Sequence, residues 1–227
     1  MQRVLEPEWL DHLEPSDARA VRARRELRLV NALMGNASFI ARALRGALRD
    51  GARIADLGTG DGRLILAVAK KLRPRPRAVA LELVDRAPAV GDDTLGALRA
   101  LGWQPVVRAA DVHDWLRGAG RCDAITVNLF LHHFEMPALR ELLSLAAQRT
   151  RLLVACEPRR SGFALLGSRA LILLGCGPVT RHDAALSVKA GFRGRELCEL
   201  WPIEPQWRLT EEARGPFSHL FVARRDA

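Results

Sequence analysis

Three glycines at alternate positions, Gly58, Gly60 and Gly62, separate a short apolar run at residues 53–57 from an amphipathic stretch at residues 63–72, whose apolar residues fall at 64, 65, 68 and 69. A strand that feeds a helix through a glycine-rich turn opens a parallel βαβ unit, because parallel strands need long crossover connections. Glycine lets the backbone turn tightly and lets a ligand approach where a Cβ would stand in the way. In open α/β sheets this is also the end of the strands at which ligands bind. The spacing then narrows the ligand. A dinucleotide fingerprint, G-x-G-x-x-G, would put its third glycine at position 63, which is Arg63 here. A phosphate-binding P-loop would need Gly-Lys-Ser or Gly-Lys-Thr after four intervening residues, and none follows.

The strand–helix alternation continues to the end of the chain. Candidate strands are residues 53–57, 78–84, 106–109, 124–128, 152–156, 195–200 and 220–223; candidate helices after the first are residues 91–101, 114–118, 136–147, 163–174 and 183–190. Such alternation implies a largely parallel sheet covered on both faces. Little helix separates the last two candidate strands, which points to an antiparallel end. Ahead of this unit, residues 1–15 with Pro7 and Pro15 read as extended or loosely helical, Ser16 or Asp17 caps a helix to about Leu33, and a second helix covers residues 38–48. The expected organisation is an N-terminal helical lid at residues 1–49 on an α/β domain at residues 50–227.

Asp56-x-Gly58-x-Gly60-x-Gly62, with a carboxylate near the strand end, resembles the first motif of class I methyltransferases that use S-adenosylmethionine. Three later segments extend the resemblance over roughly residues 50 to 135. The second strand ends Leu83-Val84-Asp85, followed by Arg86-Ala87-Pro88; a carboxylate there can accept two hydrogen bonds from ribose hydroxyls, with Glu82 as the competing choice and a solvated turn aspartate as the plain one. The third strand runs into Ala110-Asp111-Val112. There the resemblance puts Asp111 on the adenine amino group and the Val112 amide on the ring, unless Asp111 merely caps the next helix. The fourth ends Asn128-Leu129-Phe130-Leu131-His132-His133-Phe134, similar to a stretch that lines the methyl-transfer site in this class. The resemblance implies a Rossmann-like, seven-stranded, mostly parallel sheet with helices on both faces. It implies S-adenosylmethionine as cofactor, held by Asp56, Gly58, Thr59, Gly60, Gly62, Asp85, Arg86, Asp111, Val112, Asn128 and Leu129.

On the acceptor side, Pro158 ends the fifth strand, and the apolar stretch at residues 163–174 stands where this class builds a substrate wall. Transfer from a sulfonium is an in-line displacement, so a base is needed only where the acceptor must lose a proton. His133, His132, His182 and Glu157 are the candidates, His133 first; the bland readings are a linker histidine, and a Glu157 ion pair with Arg159 or Arg181. No Asn/Asp-Pro-Pro-Tyr/Phe tetrapeptide is present to hold a base amine or a glutamine amide. The expected acceptor is a small, partly hydrophobic phenol, quinol or polyketide of bacterial secondary metabolism, with O-methylation ahead of C-methylation.

Composition supports this without adding to it. The charge is +9, but arginines are dispersed along the chain and lysine occurs only at 70, 71 and 189, which disfavours a nucleic-acid partner. An RNA methyltransferase and a non-catalytic partner or regulatory protein of the same fold are the rival readings. Cys122, Cys156, Cys176 and Cys198 are scattered without a CxxC pair, and read as small buried hydrophobes rather than disulfides or metal ligands. The most apolar stretch, residues 163–177, is interrupted by Arg169 and is too short to span a bilayer; the first residues lack the apolar core of a signal peptide. A cytoplasmic monomer or homodimer is the expectation.

Overall fold

The computed structural model describes residues 1–14 and 16–226; Pro15, read above as part of the N-terminal segment, lies outside them. In chain order the elements are α1 (Ala18–Met34), α2 (Asn36–Leu44), β1 (Arg53–Leu57), α3 (Arg63–Lys71), β2 (Val79–Asp85), α4 (Asp92–Ala100), β3 (Trp103–Ala109), α5 (Val112–Gly118), β4 (Ala124–Asn128), α6 (Met136–Arg149), β5 (Leu152–Pro158), α7 (Gly162–Ala170), α8 (Pro178–Ala190), α9 (Glu196–Leu200), β6 (Trp207–Arg214) and β7 (Ser218–Arg225). Short 3-10 turns occupy Trp9–His12, Leu131–His133 and Leu171–Leu174. Among the described residues the strands form one seven-stranded sheet in the order β3-β2-β1-β4-β5-β7-β6. The first five pair in parallel, and β7 runs antiparallel to both β5 and β6.

The central strands are apolar on both faces because helices cover both. Ala55, Leu57, Ile125, Val127, Leu153 and Ala155 point into one core with α6, α9 and Trp201. Ile54, Ala124, Val154 and Cys156 point into the other with α2, α3 and α4. The alternation of neighbours between two cores is the period of two that a strand imposes. Ile40, Ala41 and Leu44 of α2 are buried in the second core, whereas α1 fully buries only Ala20 and Ala23. Asp17 caps α1 by accepting from the Arg19 amide at 2.7 Å.

Two strand assignments are corrected. Residues 195–200 were expected as a strand and form α9, where the Leu197 and Cys198 amides donate to the Glu211 carboxylate at 3.1 and 2.7 Å. The sixth strand is instead Trp207–Arg214 at the sheet edge, whose run of polar residues on the solvent side conceals the pattern. β3 starts at Trp103 rather than Val106, because Pro105 is tolerated on an edge strand that needs no donor there. No helix among the described residues is long and apolar enough to cross a membrane.

Candidate functional site

Chain order reverses at β1, with β2 on one side and β4 on the other, and a cleft opens beyond the carboxyl ends of these strands. It has two lobes. One, of about 630 Å³, is lined by Asp85, Arg86, Asp111 and Val112; the other, of about 570 Å³, by Asp56, Thr59, Gly60 and Asn128. Gly58, Leu129, His132, His133 and Glu8 line both.

Backbone geometry dictates the glycine loop. Gly58 and Gly60 sit at φ +69° and +55°, in the left-handed region. A Cβ on Gly58 would lie 2.3 Å from Phe130 Cγ, so the residue after the strand must be glycine for the β4 loop to pack. A Cβ on Gly60 would meet nothing within 4 Å. The loop is pinned to the tip of β2: the Gly58 amide donates to the Val84 carbonyl at 2.9 Å and the Gly60 amide to Asp85 Oδ2 at 2.9 Å. Asp85 Oδ1 accepts from the Ala87 amide at 3.0 Å. Each oxygen has a further lone pair, and Asp85 lines the first lobe. Glu82, the competing choice, is turned away and accepts from Trp115 Nε1 and Arg108 Nε, both at 3.1 Å.

Asp56 is buried beneath the loop, where Thr59 and Thr126 hydroxyls donate to its two oxygens at 2.8 and 2.6 Å. Burial pushes its carboxyl up to about 6 against those two hydrogen bonds. Asp111 caps α5, accepting from the His113 amide at 2.8 Å, and also faces the first lobe. Asn128 joins α1 and α2 to the end of β4: its Nδ2 donates to Asn31 Oδ1 at 3.0 Å, and its Oδ1 accepts from Asn36 Nδ2 at 2.7 Å. Leu129 follows at φ +49°. A non-glycine residue held there costs on the order of 1–3 kcal/mol, and such strain clusters at functional sites.

The turn Leu131–His133 is built on Glu157. This fully buried carboxylate accepts from the Phe130 and Leu131 amides, each at 3.0 Å, and from the His132 amide at 3.3 Å. It also bonds His132 Nδ1 at 2.7 Å. It therefore holds the turn rather than pairing with Arg159 or Arg181, and lines neither lobe. His132 Nε2 is buried without a hydrogen-bond partner among the described residues, 3.6 Å from Glu8 Oε1. Burial alone would lower this imidazole, but facing Glu157 and Glu8 it is carried up to about 9. His133 is exposed to both lobes, and Glu8, His132 and His133 present atoms of metal-ligating type within 4.8 Å of one another. His182 is placed elsewhere: it stacks on Trp9 at 3.8 Å, bonds Asp183 Oδ1 at 2.9 Å and lines neither lobe.

Residues that sequence reasoning missed come from the N-terminal elements. Glu8, Arg28 and Asn31 line the cleft, and Arg28 Nε stands 3.7 Å from Asp61 Oδ2 on the glycine loop. Arg28 and Asn31, polar residues of α1, offered a signal in the sequence; Glu8, in the segment before that helix, offered none. The segment carrying Glu8 is tied to α8, where the Trp9 and Leu10 amides donate to Asp183 at 2.9 and 3.0 Å. Arg3 donates to the carbonyls of His132 and Phe134 at 3.0 and 2.9 Å.

A family model described as a methyltransferase domain matches residues 24–182. No curated protein matches the sequence. Among solved structures, the plantazolicin methyltransferase BpumL in complex with SAH is similar at 12% identity and a TM-score of 0.65, covering 93% of this chain and 92% of that one. The pyocyanin biosynthetic protein PhzM is similar at 18% identity and a TM-score of 0.60, covering 97% and 62%. Magnesium protoporphyrin IX methyltransferase (ChlM) from Synechocystis PCC 6803, with bound SAH, is similar at 16% identity and a TM-score of 0.53, covering 85% and 83%. At these identities the likeness is one of fold.

Proposed function

The chain belongs to the methyltransferase-domain family, and from that premise we propose that it carries a methyl group from S-adenosylmethionine to an oxygen of a small, partly hydrophobic acceptor such as a phenol, quinol or polyketide. Its being an S-adenosylmethionine-dependent methyltransferase follows from the family; the acceptor and the residue roles are our reading. One observation carries that reading: the glycine loop and the two histidines line one cleft, whose lobes share Gly58, Leu129, His132 and His133.

The residues present fit the cofactor. Open space where a Gly60 Cβ would stand leaves room against the loop, and Asp85 offers lone pairs into the first lobe. In this reading Asp85 takes the ribose hydroxyls, and Asp111 with the Val112 amide takes the adenine, flanked by Arg86 and Leu129. Asp56, Thr59, Gly60, Gly62 and Asn128 surround the amino-acid end, with Arg28 as partner for its carboxylate. Bound there, S-adenosylmethionine supplies an electrophilic methyl group, which an in-line nucleophile takes by displacement.

His133 accepts the acceptor's hydroxyl proton, since it lines both lobes of the cleft and a neutral imidazole can take one. His132 and Glu157 position His133 by fixing the turn that carries it. α1 and the segment at Trp9–His12 act as a lid that excludes water.

Calorimetric titration with S-adenosylmethionine and, separately, NADH is the test, followed by turnover of a phenol and quinol panel. Micromolar binding of the first ligand alone, with methyl ether formation, is expected. Folded protein that binds neither ligand overturns the reading.

A further inference from the structure

A third, smaller void opens off the cleft between α1, α7 and α8. It measures about 80 Å³, and its walls include Val30 and Met34 of α1, Ala164 and Leu171 on the α7 side, and Val188 of α8. The two hydroxyls on its walls are already engaged: Ser168 Oγ donates to the Leu165 carbonyl at 2.8 Å, and Ser187 Oγ donates to Glu8 Oε1. Nothing in this groove therefore calls for a polar ligand.

The groove is continuous with the reaction cleft. Leu129 lines the groove and both lobes, and Ser187 lines the groove and the second lobe. The helices that wall it also carry exposed apolar side chains. Phe163, Leu166 and Leu33 each stand one position before a wall residue (Ala164, Gly167, Met34), hence beside the groove on the same helices, and are 63%, 63% and 55% exposed. An apolar groove that shares walls with the transfer cleft, on helices that also expose apolar side chains, suits a ligand with one reactive polar end and one hydrocarbon end.

We propose that the acceptor carries an alkyl tail, which threads the groove between α1 and α7 while its hydroxyl end lies beside His133. This deepens the reading above and rests on it. Size selects a chain over a second ring: a cavity of about 150 Å³ accommodates benzene, and this void is about half that. Each methylene buried there adds transfer free energy, expected to tighten binding about fourfold per carbon until the groove is filled.

The experiment measures Kd for para-alkylphenols from methyl to nonyl, with S-adenosylhomocysteine present, and turnover of the same series with S-adenosylmethionine. It uses the whole chain and two variants, Ala164→Phe to fill the groove and Val30→Gln to make its half-buried wall polar. The wild-type Kd should fall steeply with tail length and then level off, and the nonyl-to-methyl ratio should shrink at least tenfold in either variant that folds. A Kd independent of length overturns the tail site, and if short phenols are still methylated it does so without touching the proposed reaction. Equal length dependence in wild type and variants places the tail elsewhere and also overturns it. Length-dependent binding that the variants abolish, with no phenol methylated, upholds the tail site and sinks the phenol as acceptor.

Discussion

The wall of the cleft that carries the glycine loop draws on three short runs, residues 56–62, 85–89 and 110–112, tied to one another through backbone hydrogen bonds and the Asp85 carboxylate. The other wall gathers Glu8, Arg28, Asn31, His132 and Ser187 from three segments more than fifty residues apart. The first wall is set by where the chain can turn, and its tolerance of substitution is decided by φ and by space for a Cβ. The second is set by side-chain partners such as Asn31–Asn128 and Trp9–His182, which a different acceptor could replace without disturbing the sheet.

The largest expected effect contrasts two glycines of the first wall. Gly58→Ala drives a Cβ into Phe130, displacing the β4 loop together with Leu129, and should reduce S-adenosylmethionine binding at least a hundredfold. Gly60→Ala meets no neighbour in the protein, bears left-handed strain of about 1 kcal/mol and takes up part of the room left for the cofactor, so its loss should be smaller, about tenfold. Calorimetry on both variants, with circular dichroism as a check on folding, measures the gap. Equal losses would break the claim that local space governs this wall.

On the second wall, His133→Ala should lower kcat about a hundredfold or more, as loss of a general base does, while leaving the cofactor Kd within about twofold. An equal fall in cofactor affinity would move His133 to the first wall. Asp85→Ala comes next, with at least a tenfold weaker cofactor Kd; Asp85 also holds the Gly60 amide, so Asp85→Asn separates the carboxylate charge from the loop anchor. Unchanged affinity in both variants removes Asp85 from the ribose.

The same contrast accounts for what the sequence made legible. The loop at 54–62, the tip at Asp85 and the turn at 128–134 are contiguous runs whose residue order reflects their geometry, and β1 and β4 match their expected bounds. The Glu157–His132 pair, the Asn31–Asn36–Asn128 network and Glu8 on the cleft depend on which distant segments meet, and no periodicity encodes that. Asp111 illustrates the boundary: the capping role is visible in the hydrogen bonds, and a capping oxygen does not prevent its partner from facing the cleft. The edge strand β6 went unseen because an edge with one solvated face lacks the apolar run of a central strand.

The smallest expected effect concerns pH and sharpens the second wall. His132 is held up to about 9 between Glu157 and Glu8, so the folded state binds its proton more tightly than the unfolded chain does at about 6.5. The stabilisation is therefore complete below about pH 6.5 and is lost as pH rises through 9. The chain has no tyrosine, and its thiols, with burial pushing Cys122 and Cys198 up to about 11 and 12, add to the fall only above about pH 8.5, where unfolded cysteine ionises, so the slope between 6.5 and 8.5 reports His132. Tm should fall by several degrees between pH 6.5 and 9.5, and His132→Gln should flatten that slope while lowering the plateau at pH 6.5. Arg3, which donates to the His132 carbonyl, belongs to the same contact, so protease cleavage of the N-terminal segment should quicken over the same interval. A slope that survives His132→Gln unchanged would show that the proton binding this segment in place lies elsewhere, and the second wall would then lose its electrostatic hold on Glu8.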